Sequence, residues 1–381
     1  MQRPAILPLI DPADLAVTPV TRSDTIPSAW YTDPAFHAVD RDAVFARSWQ
    51  NVGSVDQVRE AGQFLVATIA DNPVIVVRGN EGELRAFFNV CKHRGGPLAL
   101  CDGQAKSLRC QYHGWTYLLD GSLRGVPKMD RSELFDKKDF GLVPLKVDVW
   151  EDQVFVHLDR EAEPVAATFK GIAERIAPTK VAGLRFAKRV DYVVGCNWKV
   201  YVDNFLEGYH VPFVHPELVS LFEYSQYRTE VFERYNLQWT PLDASTASPY
   251  GGNGGGQAWY YWVWPNFMLN ILPGRLQTNV VEPLGPDRCR VVFRYYYGDL
   301  DTAEGKTRLE ADHAYSDKVQ EEDREICERV QAGLGSRAYD RGRFSPEMEE
   351  GVWHFQSLLK GAYASLVGAR QPSLDPSARN S

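Results

Sequence analysis

The sequence predicts an α+β chain of two unequal units: an all-β unit of about 110 residues, then a larger unit that mixes helices with antiparallel strands. Three observations carry this reading. Between Gln63 and Val90 the apolar residues fall in short β-branched and aromatic runs, FLVATIA, PVIVVRG and LRAFFNV, separated by DN and GNEGE turns. After Asp159 helical spacing alternates with strand-like runs. A length of 381 residues with 44% apolar residues is enough for two cores, so neither unit has to borrow stability from disulfides.

Taken in order, residues 1–45 read as an arm. Its start is rich in Pro, Asp and Thr, and SAWYTDPAFHAVDRDAVFARSW continues it as an extended stretch followed by a helix ending near Trp49. The first unit, 46–160, begins with the antiparallel meander. It continues through two glycine-rich segments, CKHRGGPLALCDGQ and CQYHGWTYLLDGSLRGVPK, and closes on a strand pair at LKVDVWEDQVFVHLD. The second unit, 161–370, opens with a short helix at FKGIAERI, a strand through RVDYVVG and a helix starting near Asn197. ASPYGGNGGGQ is a glycine-rich loop placed either to cover a cavity or to tip a hairpin. AWYYWVWPNFMLNILPG, LQTNVVEPLG and CRVVFRYYYGDL are sheet strands, Thr302–Leu334 is a charged helix, and residues 371–381 form a tail.

A formal net charge of −8 disfavours nucleic acid and anionic membrane surfaces as partners. No run of eighteen apolar residues occurs, and the start MQRPAILPLIDPADLAV lacks the pattern of a signal peptide, so a cytoplasmic location is expected. Six cysteines in such a chain read as thiols or metal ligands rather than disulfides.

Two of them have histidine neighbours. Cys91-Lys92-His93 is followed, after sixteen residues, by Cys110-Gln111-Tyr112-His113. A two-iron two-sulfur cluster with mixed ligation needs two Cys on one iron and two His on the other, which two matching loops supply. A structural zinc finger would place its Cys pair before its His pair, whereas here the order alternates. Cys101 lies between the pairs without a His at the same offset, and reads as a small buried residue.

A second constellation lies in NWKVYVDNFLEGYHVPFVHPEL. On an ideal helix His210 and His215 would point about 140° apart. Pro212 and Pro216 break that helix and let the imidazoles converge. Mononuclear Fe(II) oxygenases add one carboxylate to two His and leave coordination positions open for dioxygen. The helix DHAYSDKVQEEDREICERVQAGL has an apolar stripe of Tyr315, Val319, Ile326 and Val330. At about 100° per residue, Glu322 and Asp323 flank that stripe, while Glu321, Glu325 and Glu328 point outward. Geometry leaves Glu322 and Asp323 both open as the third ligand. Glu207, three residues before His210, falls on the same helical face.

CKHRGGPL and CQYHGWTYLLDG are similar to the cluster loops of Rieske ring-hydroxylating and related oxygenases. NWKVYVDNFLEGYHVPFVHP, WPNFMLN and VQAGLGSRAYDRGRF resemble the choline monooxygenase-like, quaternary-ammonium branch of that family, over about residues 25 to 365. The resemblance implies an all-β Rieske [2Fe-2S] domain joined to a helix-grip (START-like) catalytic domain. It implies that Cys91 and Cys110 bind one cluster iron and His93 and His113 the other, and that His210, His215 and Asp323 hold Fe(II). Glu207 would bridge the catalytic His of one subunit to a cluster His of its neighbour in a homotrimer; many members have Asp there. The implied reaction is O2-dependent hydroxylation or N-demethylation of a small quaternary ammonium compound of choline, glycine betaine, proline betaine or carnitine type.

Cation–π attraction suits such a substrate. Candidate contacts are Tyr201, Phe205, Tyr209, Phe213, Trp259, Tyr261 and Phe267, with Tyr260, Trp262 and Trp264 also on these segments. The same rings would accept an arene, so hydroxylation or O-demethylation of an aromatic compound is the alternative, and a Rieske electron carrier is the non-enzymatic one. No dinucleotide-binding G-x-G-x-x-G follows a strand, and no second, all-cysteine ferredoxin spacing occurs. NAD(P)H and flavin are therefore expected on a separate ferredoxin-type reductase.

Overall fold

The computed structural model describes residues 8–220, 222–242 and 256–370. The first unit contains β1 (Gln50–Ser54), β2 (Gln63–Ile69), β3 (Asn72–Arg78), β4 (Leu84–Phe88), β5 (Gly103–Gln104), β6 (Leu108–Arg109), β7 (Thr116–Tyr117), β8 (Leu123–Gly125), β9 (Pro144–Trp150) and β10 (Gln153–His157). Seven of these form one antiparallel sheet in the order β1-β10-β9-β4-β3-β2-β5, and β6-β7-β8 form a second, smaller one. The hairpins at Ala70-Asp71 and Glu151-Asp152 hold positive φ at both turn residues, the backbone that matches the twist of the flanking strands.

The second unit is built on β11 (Arg185–Val194), β12 (Arg228–Val231), β13 (Tyr235–Pro241), β14 (Gln257–Val263), β15 (Phe267–Leu272), β16 (Arg275–Gly285) and β17 (Arg288–Tyr297). They form one antiparallel sheet in the order β11-β17-β16-β15-β14-β13-β12. Its helices follow those of the arm, α1 (Ala29–Thr32) and α2 (Pro34–Val39). They are α3 (Val165–Thr168), α4 (Ile172–Ile176), α5 (Trp198–Phe205), α6 (Val211–Val214), α7 (Pro216–Val219), α8 (Ala303–Leu334) and α9 (Glu350–Arg370).

Strand alternation divides this sheet into two faces. Tyr261, Phe267, Leu269 and Ile271 point to one side and share a core with Trp150, Phe155 and Phe169, so the first unit packs on that face. Polar pairs reinforce the seam: Arg294 Nη1 donates to Asn51 Oδ1 at 3.1 Å, and Gln153 Nε2 to Tyr296 Oη at 3.1 Å. The opposite face receives α5, α8 and α9. The arm packs here too, with Trp30 and Phe36 against Tyr363 and with Phe45 against Trp198.

Several elements depart from the sequence reading. The arm turns helical already at Ala29 and, apart from the extended cap residue Asp33, stays so to Arg47. AWYYWVWPNFMLNILPG is two strands with a turn at Pro265. Strands β12 and β13 and the helix α9 were not identified, because RTEV is short and α9 mixes small, aromatic and polar residues without a clean stripe. Except for Gly256 and Gln257, the ASPYGGNGGGQ loop lies outside the described residues, as does the tail 371–381. Among the described residues no helix is long and apolar enough to cross a membrane.

Candidate functional site

The loops at Cys91 and Cys110 are the same turn built twice. Cys91 N donates to Gly96 O at 2.8 Å and Gly95 N to Cys91 O at 3.0 Å; Cys110 N donates to Trp115 O at 2.8 Å and Gly114 N to Cys110 O at 3.0 Å. Gly95 and Gly114 have φ of 75° and 74°, a left-handed backbone that glycine adopts without strain. The turns bury both thiols and carry the imidazoles to the rim, with ring centroids 4.6 Å apart. Trp115 stacks on His93 at 4.8 Å, and Tyr112 lies 3.8 Å from His113. Tyr117 Oη accepts from Lys92 N at 3.0 Å and sits 3.3 Å from Cys91 Sγ.

This donor set fits a two-iron cluster. His93 Nδ1 is buried without a protein partner, as expected of an atom that ligates a metal. No three of the four side chains converge within 4.8 Å, as ligands of one tetrahedral zinc would. Cys101 is exposed, against the expectation that it is buried.

The second site is assembled from distant segments. Asn197 caps α5, its side chain accepting from Lys199 N at 3.0 Å. Beyond Phe205 the chain leaves the helix and bends to His210, so Glu207 does not share a helical face with it. The bend itself brings them together: Glu207 Oε1 is 2.5 Å from His210 Nδ1, and Oε2 accepts from His210 N at 3.0 Å. Between α6 and α7 the backbone at His215, with φ −122° and ψ 64°, is not helical, which is where Pro216 forces the break. The two rings then meet at 5.2 Å.

Asp323 on α8 completes the group. Its Oδ1 lies 3.0 Å from His215 Nε2 and 3.8 Å from His210 Nε2, and Asn204 Nδ2 donates to it at 2.7 Å. Candidate ligand atoms of His210, His215 and Asp323 lie within 4.8 Å of one another. Glu322 points elsewhere and holds His215 Nδ1 at 2.7 Å. Each imidazole therefore has a carboxylate on Nδ1 and its Nε2 turned toward Asp323, the outer-shell arrangement of metal-binding histidines. Burial is the largest influence on His215 and lowers its pKa, but hydrogen bonds and charge from Asp323 and Glu322 outweigh it and raise the pKa.

The α8 stripe differs from the sequence reading. Val330 is 44% exposed, and the buried positions include Asp312, Ser316, Gln320 and Cys327. Ser316 and Gln320 face a cavity of about 140 Å³, Asp312 is ion-paired with Arg275, and Cys327 packs in the core. Glu328, at the surface and paired with Arg324, accepts from Gly195 N at 3.0 Å.

Tyr201, Phe205 and Tyr260 line this cavity beside the His–His–Asp group. Trp259, Tyr261 and Phe267 do not, since alternation turns them to the face covered by the first unit. Trp262 and Trp264 pack in the core with Phe355. Tyr209 and Phe213 sit outside, 49% and 81% exposed, because the bend after α5 and the short α6 direct them to the surface. The sequence reading missed Arg275, Gln277 and Asn279, which alternate with Leu276, Thr278 and Val280 along β16. In a strand buried on both faces, a polar residue at every second position signals a cavity wall.

Residues 48–144 match the family described as Rieske [2Fe-2S] domain, and residues 181–365 match ring hydroxylating alpha subunit (catalytic domain). The chain is 38% identical to the chloroplastic choline monooxygenase of Arabidopsis thaliana over 90% of this chain and 83% of that one. It is 31% identical to the carnitine monooxygenase oxygenase subunit of Escherichia coli K12 over 88% and 92%. A quaternary ammonium Rieske monooxygenase solved with its substrate L-carnitine superposes with a TM-score of 0.79 at 29% identity, over 90% of this chain and 96% of that one. A Rhodococcus naphthalene 1,2-dioxygenase, at 20% identity and TM-score 0.77, shares the fold.

Proposed function

Because the chain belongs to the alpha subunits of the Rieske ring-hydroxylating oxygenases, we propose that it is the oxygenase component that hydroxylates or N-demethylates a small quaternary ammonium compound. Cys91, His93, Cys110 and His113 would hold the cluster, and His210, His215 and Asp323 the ferrous ion. One observation carries the reading. In the wall of an aromatic-lined cavity, His210 and His215 turn Nε2 toward Asp323 while Glu207 and Glu322 hold the other nitrogens. The relatives named for choline and carnitine support the substrate class.

When bound, the two metal groups supply single electrons and a place for dioxygen. Glu207 and Glu322 fix the imidazole tautomers, so that each ring presents a lone pair on Nε2. Asn204 orients the Asp323 carboxylate. Tyr201, Phe205 and Tyr260 offer ring faces to a trimethylammonium group and keep water from it. As the resemblance implies, Glu207 would link the iron site to a cluster His of a neighbouring copy, with a homotrimer as the functional unit. Electrons would come from NAD(P)H through flavin on a separate ferredoxin-type reductase.

The test is oxygen uptake by the iron-loaded protein with a compatible reductase, across choline, betaines, carnitine and aryl acids, with formaldehyde assayed. Stimulation by quaternary amines is expected. Stimulation by aryl acids alone would overturn the substrate class.

A further inference from the structure

We propose that Asn279 and Gln320 determine specificity: their amide N–H groups, aimed by two hydrogen-bond chains, favour a substrate that carries an acceptor oxygen over one with a methylene in its place. The inference rests on the ammonium reading above and adds to it two residues and a polarity.

The first chain runs along β16. A guanidinium has only donors. Arg275, paired through Nε with Asp312 Oδ2 at 2.6 Å, also donates from Nη2 to Gln277 Oε1. That contact fixes the amide of Gln277, whose oxygen takes a second hydrogen from Ser316 Oγ at 3.4 Å. Gln277 Nε2 is left to face along the strand, where it donates to Asn279 Oδ1 at 2.7 Å. Asn279 is fixed in turn. It lines the cavity at 3% exposure, its oxygen is used, and Nδ2 makes no hydrogen bond among the described residues. Arg275 keeps its partners throughout and gives the chain only its direction.

The second chain reaches the same cavity from the helices. Tyr201 Oη on α5 donates to Gln320 Oε1 on α8 at 2.6 Å. The reverse orientation of the amide would strand the phenol hydrogen, which meets no other acceptor among the described residues. Gln320, 2% exposed and in the cavity lining, therefore keeps Nε2 as a buried donor without a partner. It lies three residues before Asp323, on the same helical face and one turn from the iron end.

Two chains of different origin thus end alike, on an N–H with no acceptor. A buried donor left unmatched is destabilising, and an oxygen brought in by the ligand removes that penalty. An alkyl chain of the same shape leaves it in place.

The test is calorimetric titration of the iron-loaded holoenzyme with tetramethylammonium, (2-methoxyethyl)trimethylammonium and n-butyltrimethylammonium. The last two share shape and charge and differ only in an ether oxygen against a methylene, so the ammonium contacts cancel in their ratio. In a cavity that is merely apolar the butyl compound binds better. The wild type should instead prefer the ether by about tenfold. Asn279→Asp keeps the acceptor for Gln277 and removes the outward N–H, while Tyr201→Phe combined with Gln320→Met removes the second chain whole. Each should lower the ether preference about threefold or more, with tetramethylammonium still bound. If the wild type binds tetramethylammonium but takes the butyl compound as tightly as the ether, the inference is overturned and the ammonium reading stands. An ether preference that survives in both variants overturns it equally. A variant that loses tetramethylammonium has a damaged cavity, and the other variant then decides. If the wild type binds none of the three cations, the ammonium reading fails and this inference with it.

Discussion

The loops at Cys91–Gly96 and Cys110–Trp115 each close on themselves through two backbone hydrogen bonds, whereas His210, His215 and Asp323 are held by contacts that reach across the whole chain. Helix α5, which presents Tyr201 and Asn204, is tied at Lys199 and Trp198 to Asp40 in the arm. Asp40 also accepts from Tyr363 on α9. Asp203 on α5 accepts from Tyr31 and from Gln356. The first site is a local property of two short peptides. The second depends on the tertiary fold, so damage far from it should be felt there first.

The largest expected effect separates the two outright. Cys110→Ser should abolish the cluster absorption and its paramagnetic signal, while the protein keeps its helical circular dichroism and mononuclear iron. Asp323→Ala should do the reverse, losing about one iron per chain with the cluster spectrum intact. Turnover should vanish in both. Loss of both the cluster and the mononuclear iron in either variant would show the two sites to be structurally coupled.

Next in size is damage at a distance. Asp40 and Lys199 are both fully buried, and removing one partner strands the other charge. Asp40→Ala should destabilise the catalytic unit by about 3–5 kcal/mol in urea melts. It should also lower mononuclear iron occupancy while the cluster signal persists. Equal loss of both metals would contradict a remotely held site.

Smaller still is the outer shell. Glu322→Gln keeps a hydrogen-bond acceptor beside His215 Nδ1 but removes its charge. A loss of iron affinity of about 10–100-fold is expected by metal titration. If Glu322→Gln abolished iron binding while Asp323→Asn was tolerated, the two carboxylates would have to exchange roles.

The same contrast explains what could be read from the sequence. Both cluster loops were legible because every group they need lies within six residues, glycines included. The long helix α8 was legible from spacing, and the His pair from its prolines. Choosing Asp323 over Glu322 required resemblance, because both lie beside the same face and only the packing of α8 against α5 decides which one turns inward. The aromatic candidates fared worst. Trp259, Tyr261 and Phe267 belong to strands buried on both faces, where composition does not say which alternation faces the cavity. Arg275, Gln277 and Asn279 carried that information in their polar period, and Arg275 needed its partner Asp312 from α8 before it could be placed.

The finest probe of remote support is Asp203. Burial raises its pKa to about 7, although hydrogen bonds from Tyr31 and Gln356 pull the other way. A carboxyl group whose pKa is higher in the folded than in the unfolded chain binds its proton more tightly when folded. Its contribution to stability is therefore complete below about pH 4, the unfolded value, and is lost as pH rises through about 7. Because the side chain keeps some contact with solvent, the loss should be about 1–2 kcal/mol rather than the full shift. Asp203→Asn imitates the protonated form and should flatten that dependence, so wild type and variant melt alike at pH 5 and diverge at pH 8 in favour of the variant. The cluster band should not change between these pH values in either protein. If the two proteins instead lose stability in parallel from pH 5 to 8, Asp203 is not protonated in the folded chain, and the link from arm to α5 to α9 is a charged one.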